Sequence, residues 1–193
     1  MRVANRAIKA KPEALPDYLA EDLTNTNVIR VSGVDKNTLT HIAPSDELAI
    51  ENLPDGEISV PLKFWQTHKS ELLELQNTIA VQLAGTELAE ELADDLAQID
   101  IVVLPFVNFV DGRNYSDAYK LRTRFGFQGE IRAVGDVHFD QLGFLARVGV
   151  DAFELSDDED HDDALRAFQE FSQVYQPSAD GQPLIFSRRR AIH

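Results

Sequence analysis

The sequence predicts an α/β fold: four βα units forming a parallel sheet, half-barrel-like or open, with a small β-rich N-terminal extension. Two observations predict it. From Ile79 onward, short apolar runs alternate with stretches whose apolar residues recur at helical spacing. The run Ile101-Val102-Val103-Leu104 is apolar on both faces, as strands buried in a parallel sheet are.

Residues 1–26 are polar, contain Pro12 and Pro16, and read as an arm with at most one helical turn near Tyr18-Leu19. Residues 27–66 form the β-rich extension, with extended signals at Val28-Ile29-Arg30-Val31 and Glu57 to Leu62, separated by turn formers such as Pro54-Asp55-Gly56. The core spans 67–176. A helix is expected over Thr67 to Gln76, then a strand over Thr78 to Leu83. Thr86 is placed to cap a helix carrying Leu88, Leu92 and Leu96. After the strand from Ile101 comes a helix with Ala118, Leu121 and Phe125, ending at Gly126. Glu130 to Val134 is the third strand, and Phe139, Leu142 and Leu145 mark a helix that Gly149 stops. Ala152 to Leu155 is the fourth strand, and Ala164, Phe168, Phe171 and Tyr175 mark the last helix. Residues 177–193 are a tail that includes Arg188-Arg189-Arg190. Four units do not close the usual eight-unit barrel, so an edge needs covering by the extension or by a second copy in a homodimer.

Composition removes whole classes of chemistry. Among 193 residues there is no cysteine, so disulfides, a thiol nucleophile and cysteine-ligated metal are out. The formal charge of −15 opposes nucleic-acid binding, which needs clustered cations. No run approaches the roughly 18 apolar residues of a membrane span. The start lacks an apolar signal region, so the expected location is cytoplasmic. Dinucleotide, P-loop, zincin and nucleophile-elbow motifs are absent, and no metal set is expected. The acidic run from Asp157 to Asp163 reads as a solvated loop.

Parallel α/β proteins gather their sites at the carboxyl ends of the strands. The richest such segment runs from Pro105 to Ser116, with Phe106 and Phe109 either in the core or rimming a pocket or partner surface. There Arg113 and the amino end of a helix would hold a small anion, or else Asn114 caps the helix while Arg113 pairs with Asp111. After the third strand, Asp136 and Asp140 flank His138 as acid–base candidates, or Asp136 caps the next helix. Period-two alternation puts Arg132 on one face of its strand and Glu154 on one face of the next. Buried parallel strands seldom carry charge, so the two should meet, with Gln82 in the same layer.

The stretch Asp111-Gly112-Arg113-Asn114-Tyr115-Ser116, followed by Leu121-Arg122, Gly126 to Glu130, Arg132 to Val137, Asp140-Gln141 and Arg147 to Phe153, resembles the bacterial DUF934 family. The resemblance implies a place in assimilatory sulfate and sulfite reduction and cysteine biosynthesis, because the family's genes accompany those of sulfite reductase, and members carry the label of probable oxidoreductase. It implies site positions at Asp136, Asp140 and Tyr115 for catalysis, and at Asp111, Arg113, Arg132 and Gln141 for substrate. Two functions are compatible with the resemblance. One is an accessory partner of sulfite reductase. The other is a small enzyme holding a sulfo or phospho substrate at the strand ends. No cofactor is identified, and flavin binding stays open.

Overall fold

The structure is a computed structural model of the chain. It describes residues 27–45, 48–75, 77–84, 86–107, 111–155, 160–169 and 175–182. The polar arm, Phe109, residues 157–159 of the acidic run, Phe171 and the Arg188–Arg190 tail lie outside the described residues.

Eight strands form one sheet: β1 (Asn27–Arg30), β2 (Gly33–Lys36), β3 (Thr40–His41), β4 (Ile58–Pro61), β5 (Ile79–Gln82), β6 (Ile101–Phe106), β7 (Glu130–Gly135) and β8 (Ala152–Phe153). Their order is β2-β1-β8-β7-β6-β5-β4-β3. Neighbours from β3 to β8 are parallel, whereas β1 lies antiparallel to both β8 and β2. The sheet is therefore mixed, which corrects the expectation of a purely parallel one. The physical reason is the tight β1–β2 connection through Val31-Ser32. This hairpin covers the β8 edge, while β3 extends the opposite edge. The extension is thus divided between the two ends of the same sheet.

The described α-helices are α1 (Leu62–Glu74), α2 (Arg113–Thr123), α3 (Phe139–Val148) and α4 (His161–Ala167). Between β5 and β6 the expected helix is absent. The chain makes two short 3-10 turns instead, Ala89–Leu92 and Leu96–Gln98. Glu87, Glu90 and Glu91 would face Glu91, Asp94 and Asp95 at i,i+4 on an α-helix, and like charges at that spacing oppose it. Local anchors hold the alternative. The Ala84 N–H donates to Glu87 (2.7 Å) and the Leu88 N–H to Glu91 (3.0 Å). Asp95 accepts from Trp65 Nε1 (2.8 Å) and pairs with Lys69. Helix α1 begins at Leu62 rather than near Thr67, directly after β4, with Pro61 at its cap and a kink at His68.

Register assigns each strand residue to a face. Ile58, Val60, Val81, Val102, Leu104, Ile131, Ala133 and Phe153 point to the outer face, where they join Trp65, Leu72, Leu121, Leu142 and Leu145 from the helices in the main core. The inner face is concave, because the sheet curls into an open half barrel. A smaller cluster of Leu39, Ala80, Ile101, Val103 and Val134 fills part of it. Leu39 comes from the segment between β2 and β3, which plugs the concavity. The protein is thus a mixed α/β half barrel with its described helices outside. Among the described residues, no helix is long and apolar enough to cross a membrane.

Candidate functional site

The inner face carries the buried polar groups. Arg132, in the middle of β7, is almost wholly buried, and so is Glu154, the residue after β8. Their side chains meet at 3.1 Å, as strand alternation anticipates. The same Arg132 nitrogen donates to Asn37 Oδ1 (2.9 Å), and Nε donates to Glu130 (2.6 Å). Glu130 in turn accepts from Arg30 (2.6 Å), which also holds Asp35 (2.8 Å). The guanidinium of Arg132 is therefore committed to three side chains. Gln82 lies in the same layer, donating to Ser59 Oγ (2.8 Å) and to the Ser59 carbonyl (3.0 Å).

Sequence reasoning missed His41 and Ser59. His41 Nδ1 lies 2.7 Å from Ser59 Oγ, and Nε2 lies 3.1 Å from both oxygens of Glu154. The order hydroxyl, imidazole, carboxylate is that of a nucleophilic relay. Ser59, however, is completely buried on the inner face of β4. The three side chains link β3, β4 and the residue after β8 across the inner face. Nothing local signals these two residues. His41 lies on a two-residue strand, and only the curl brings it to Glu154.

The rim at the carboxyl ends of the strands contains two separate groups. The first is at the start of α2. Asp111 Oδ1 accepts from the backbone N–H of Arg113 (3.1 Å) and from its Nε (2.9 Å), while Nη2 meets Oδ2 at 2.5 Å. Hydrogen bonding to Arg113 holds the Asp111 carboxyl below the usual carboxylate range, against partial desolvation. The place prepared for an anion, a helix amino end beside an arginine, is thus taken by the chain's own carboxylate. The helix cap is Gly112, not Asn114. Asn114 is buried and ties the helix start to the Pro105 carbonyl (2.5 Å).

The second group is at the start of α3. His138 caps the helix, and the Gln141 side chain accepts from the His138 N–H (3.0 Å). His138 Nε2 lies 2.9 Å from Asp136 Oδ1. Gln141 also stands beside Tyr115 of α2. Burial pushes the Tyr115 phenol up from 10.0, the charge of Asp140 adds to this, and the Gln141 side chain opposes it. At neutral pH Tyr115 is therefore an intact phenol. The structure brings together Tyr115, Asp140 and Gln141, with Asp136 joined through His138. The pair Asp111–Arg113 forms its own group, and Arg132 belongs to the inner network. Arg132 thus lies on the inner face, and the other six expected positions lie around the starts of α2 and α3.

A third feature lies on the outside. Helices α2 and α3 leave a shallow groove of about 340 Å³ between them, lined by Tyr115, Ser116, Tyr119, Lys120, Phe144 and Val148. Tyr115 and Tyr119 are one turn apart on α2, as are Phe144 and Val148 on α3. Tyr115 stacks on Phe144 at 5.4 Å and meets the core edge-on through Phe106 at 5.3 Å. Tyr119 is 44% exposed and Phe144 53%. Among the described residues, no group of three or more His, Asp or Glu side chains is arranged to hold a metal.

A half barrel with its described helices outside, its inner face plugged by polar groups and an aromatic groove on its helical layer defines the class of protein. Residues 80–186 match the family described as "Bacterial protein of unknown function (DUF934)". The chain belongs to that family. No curated protein and no solved structure matches it.

Proposed function

We propose that the chain is an accessory protein of assimilatory sulfite reduction, one that binds the sulfite-reducing enzyme and turns over no substrate of its own. One observation carries this reading: the charged groups at the strand ends and inside the sheet satisfy one another. Asp111 holds Arg113, Asp136 holds His138, and Arg132 holds Glu130 and Glu154. Recruiting any of these to a substrate first breaks an internal pair. The gene neighbourhood that the family resemblance implies supplies the pathway.

The test is affinity purification of the full chain from its own host at low salt. Sulfite reductase is expected to co-purify in fixed proportion, and deletion of the chain is expected to slow growth on sulfate but not on cysteine. Absence of the reductase together with normal growth on sulfate overturns the reading. The alternative, an enzyme acting on a sulfo or phospho substrate, draws on Tyr115, whose phenol stands beside Gln141 and the charge of Asp140. That alternative requires Tyr115→Phe to abolish growth on sulfate, whereas the accessory reading expects the variant to grow.

A further inference from the structure

We infer that the groove between α2 and α3 is a docking site for a basic amphipathic helix of a protein partner. This rests on the accessory reading and names its surface. The groove supplies the apolar half of the match. Its walls are two i,i+4 rows, Tyr115 with Tyr119 and Phe144 with Val148, along helices about 16 Å long. Large aromatic side chains left a half exposed beside a concavity are the signature of a partner surface. The dimensions fit one helix that inserts apolar residues at i, i+4 and i+7.

The flanks supply the electrostatic half. Next to α2 packs the segment 86–100, with six acids and no base. Three of those acids, Glu91, Asp94 and Asp100, are exposed. On the far side α3 packs against α4, where Asp160 caps the helix and Asp162 follows in its first turn, while Asp163 pairs with Arg166. The cations nearest the groove are balanced. Lys120 meets Asp117 and Glu90, and Arg124 meets Glu90. An apolar channel about neutral in charge thus runs between two acidic banks. A helix with an apolar stripe and Lys or Arg on both sides is complementary to that pattern. A second copy of this chain, at −15, is not.

The test uses the full chain and a fluorescein-labelled synthetic helix of about 18 residues, with Leu and Phe at i, i+4 and i+7 and Lys on both flanks, read by anisotropy. Its twin carries Glu in place of every Lys. Saturable binding of the Lys helix is expected in the micromolar range, at least about tenfold tighter than the twin. Phe144→Ser and Tyr119→Ser, each checked for a native thermal transition, are each expected to weaken it about tenfold. Glu91→Lys with Asp162→Lys is expected to weaken it and to flatten its salt dependence. No saturation by about 100 μM peptide overturns the inference, as does equal binding to Phe144→Ser and Tyr119→Ser. If those two variants still co-purify sulfite reductase at wild-type yield, the groove fails while the accessory reading stands. If the peptide binds as expected and sulfite reductase never co-purifies, the groove stands and the partner's identity fails.

Discussion

The imidazole of His41 and the carboxylate of Glu154 meet at 3.1 Å, although five strand-to-strand steps separate β3 from β8 in the sheet. Laid flat, those steps would span about 24 Å. The contact therefore measures the curl: side chains from the two sides of the open half barrel meet across its concave face. Ser59 fixes the other side of the ring at 2.7 Å, and Arg132 meets the same carboxylate from β7. Closure runs through polar side chains held in a largely buried interior.

Removing one member of this network leaves its charged partner buried. Arg132→Ala is expected to lower the unfolding free energy by about 3–5 kcal/mol, because the fully buried Glu154 then loses its arginine, while Glu130 keeps only Arg30. Urea denaturation measures it. His41→Ala and Glu154→Gln, combined in a double-mutant cycle, are expected to couple by about 0.5–3 kcal/mol. Additivity would mean that the contact across the sheet does not contribute.

Asp111 occupies the amino end of α2, so its removal should uncover an anion site that the wild type lacks. Asp111→Ala is expected to gain thermal stability in sodium sulfate over sodium chloride at equal ionic strength, through Arg113 and the helix N–H groups. The wild type is expected to show only the general stabilisation that sulfate gives a folded protein, and Asp111→Ala more than that. An equal sulfate gain in wild type and Asp111→Ala would mean that removing Asp111 uncovers no anion site.

The acid limb of stability should report on Asp95. Its hydrogen bond to Lys69, with that from Trp65 Nε1–H, holds the carboxyl below its ordinary 3.8 despite some desolvation. A lowered folded value gives stability that is complete above 3.8 and is lost as pH falls from there through the folded value. Asp95→Asn is therefore expected to be less stable than wild type at pH 7, with the difference shrinking below pH 3.8. Asp151 and Glu87 act with the opposite sign. Burial raises both, so their contribution belongs to low pH and fades as pH rises through their folded values. Trp65 is the single tryptophan and donates to Asp95, so its fluorescence follows the transition directly.

Arg122 ties together the turn before β7 and the end of α3. It donates to the carbonyls of Gly149 (2.9 Å), Phe127 (2.6 Å) and Gly129 (2.8 Å), and it pairs with Asp151. Lysine has no planar fork to reproduce this, so Arg122→Lys is expected to cost about 2 kcal/mol or more. Gly149 adopts φ +111°, and a Cβ there would lie 2.3 Å from the Arg122 side chain. Gly149→Ala is expected to destabilise by about 1–3 kcal/mol. Thermal unfolding of both variants checks the pair. A wild-type Tm for Arg122→Lys would show that its carbonyl contacts add no stability.

The parts legible in the sequence are those that repeat at short range. Strands β5 to β7 and helices α2 and α3 were readable from apolar runs and from Gly126 and Gly149 as stops. The meeting of Arg132 and Glu154 was readable because charge on a buried strand needs a partner. The 86–98 segment misled because its leucines keep helical spacing while its carboxylates, equally regular, forbid the helix. The mixed sheet, and the roles of His41 and Ser59, were hidden for a different reason. They depend on where a short edge strand lands after the sheet curls, which no local pattern encodes. The candidate site fared similarly: Tyr115, Asp140 and Gln141 come together across α2 and α3, while Arg113 is turned onto Asp111 by a contact two residues long.

The proposed role of this chain, binding a sulfite-reducing enzyme, is open to direct test. Native mass spectrometry of the protein purified from its own host at low salt tests it most directly. The account predicts a bare chain accompanied by a sulfite-reductase subunit. A chain without the reductase, carrying a small molecule that is lost on denaturation, would contradict it.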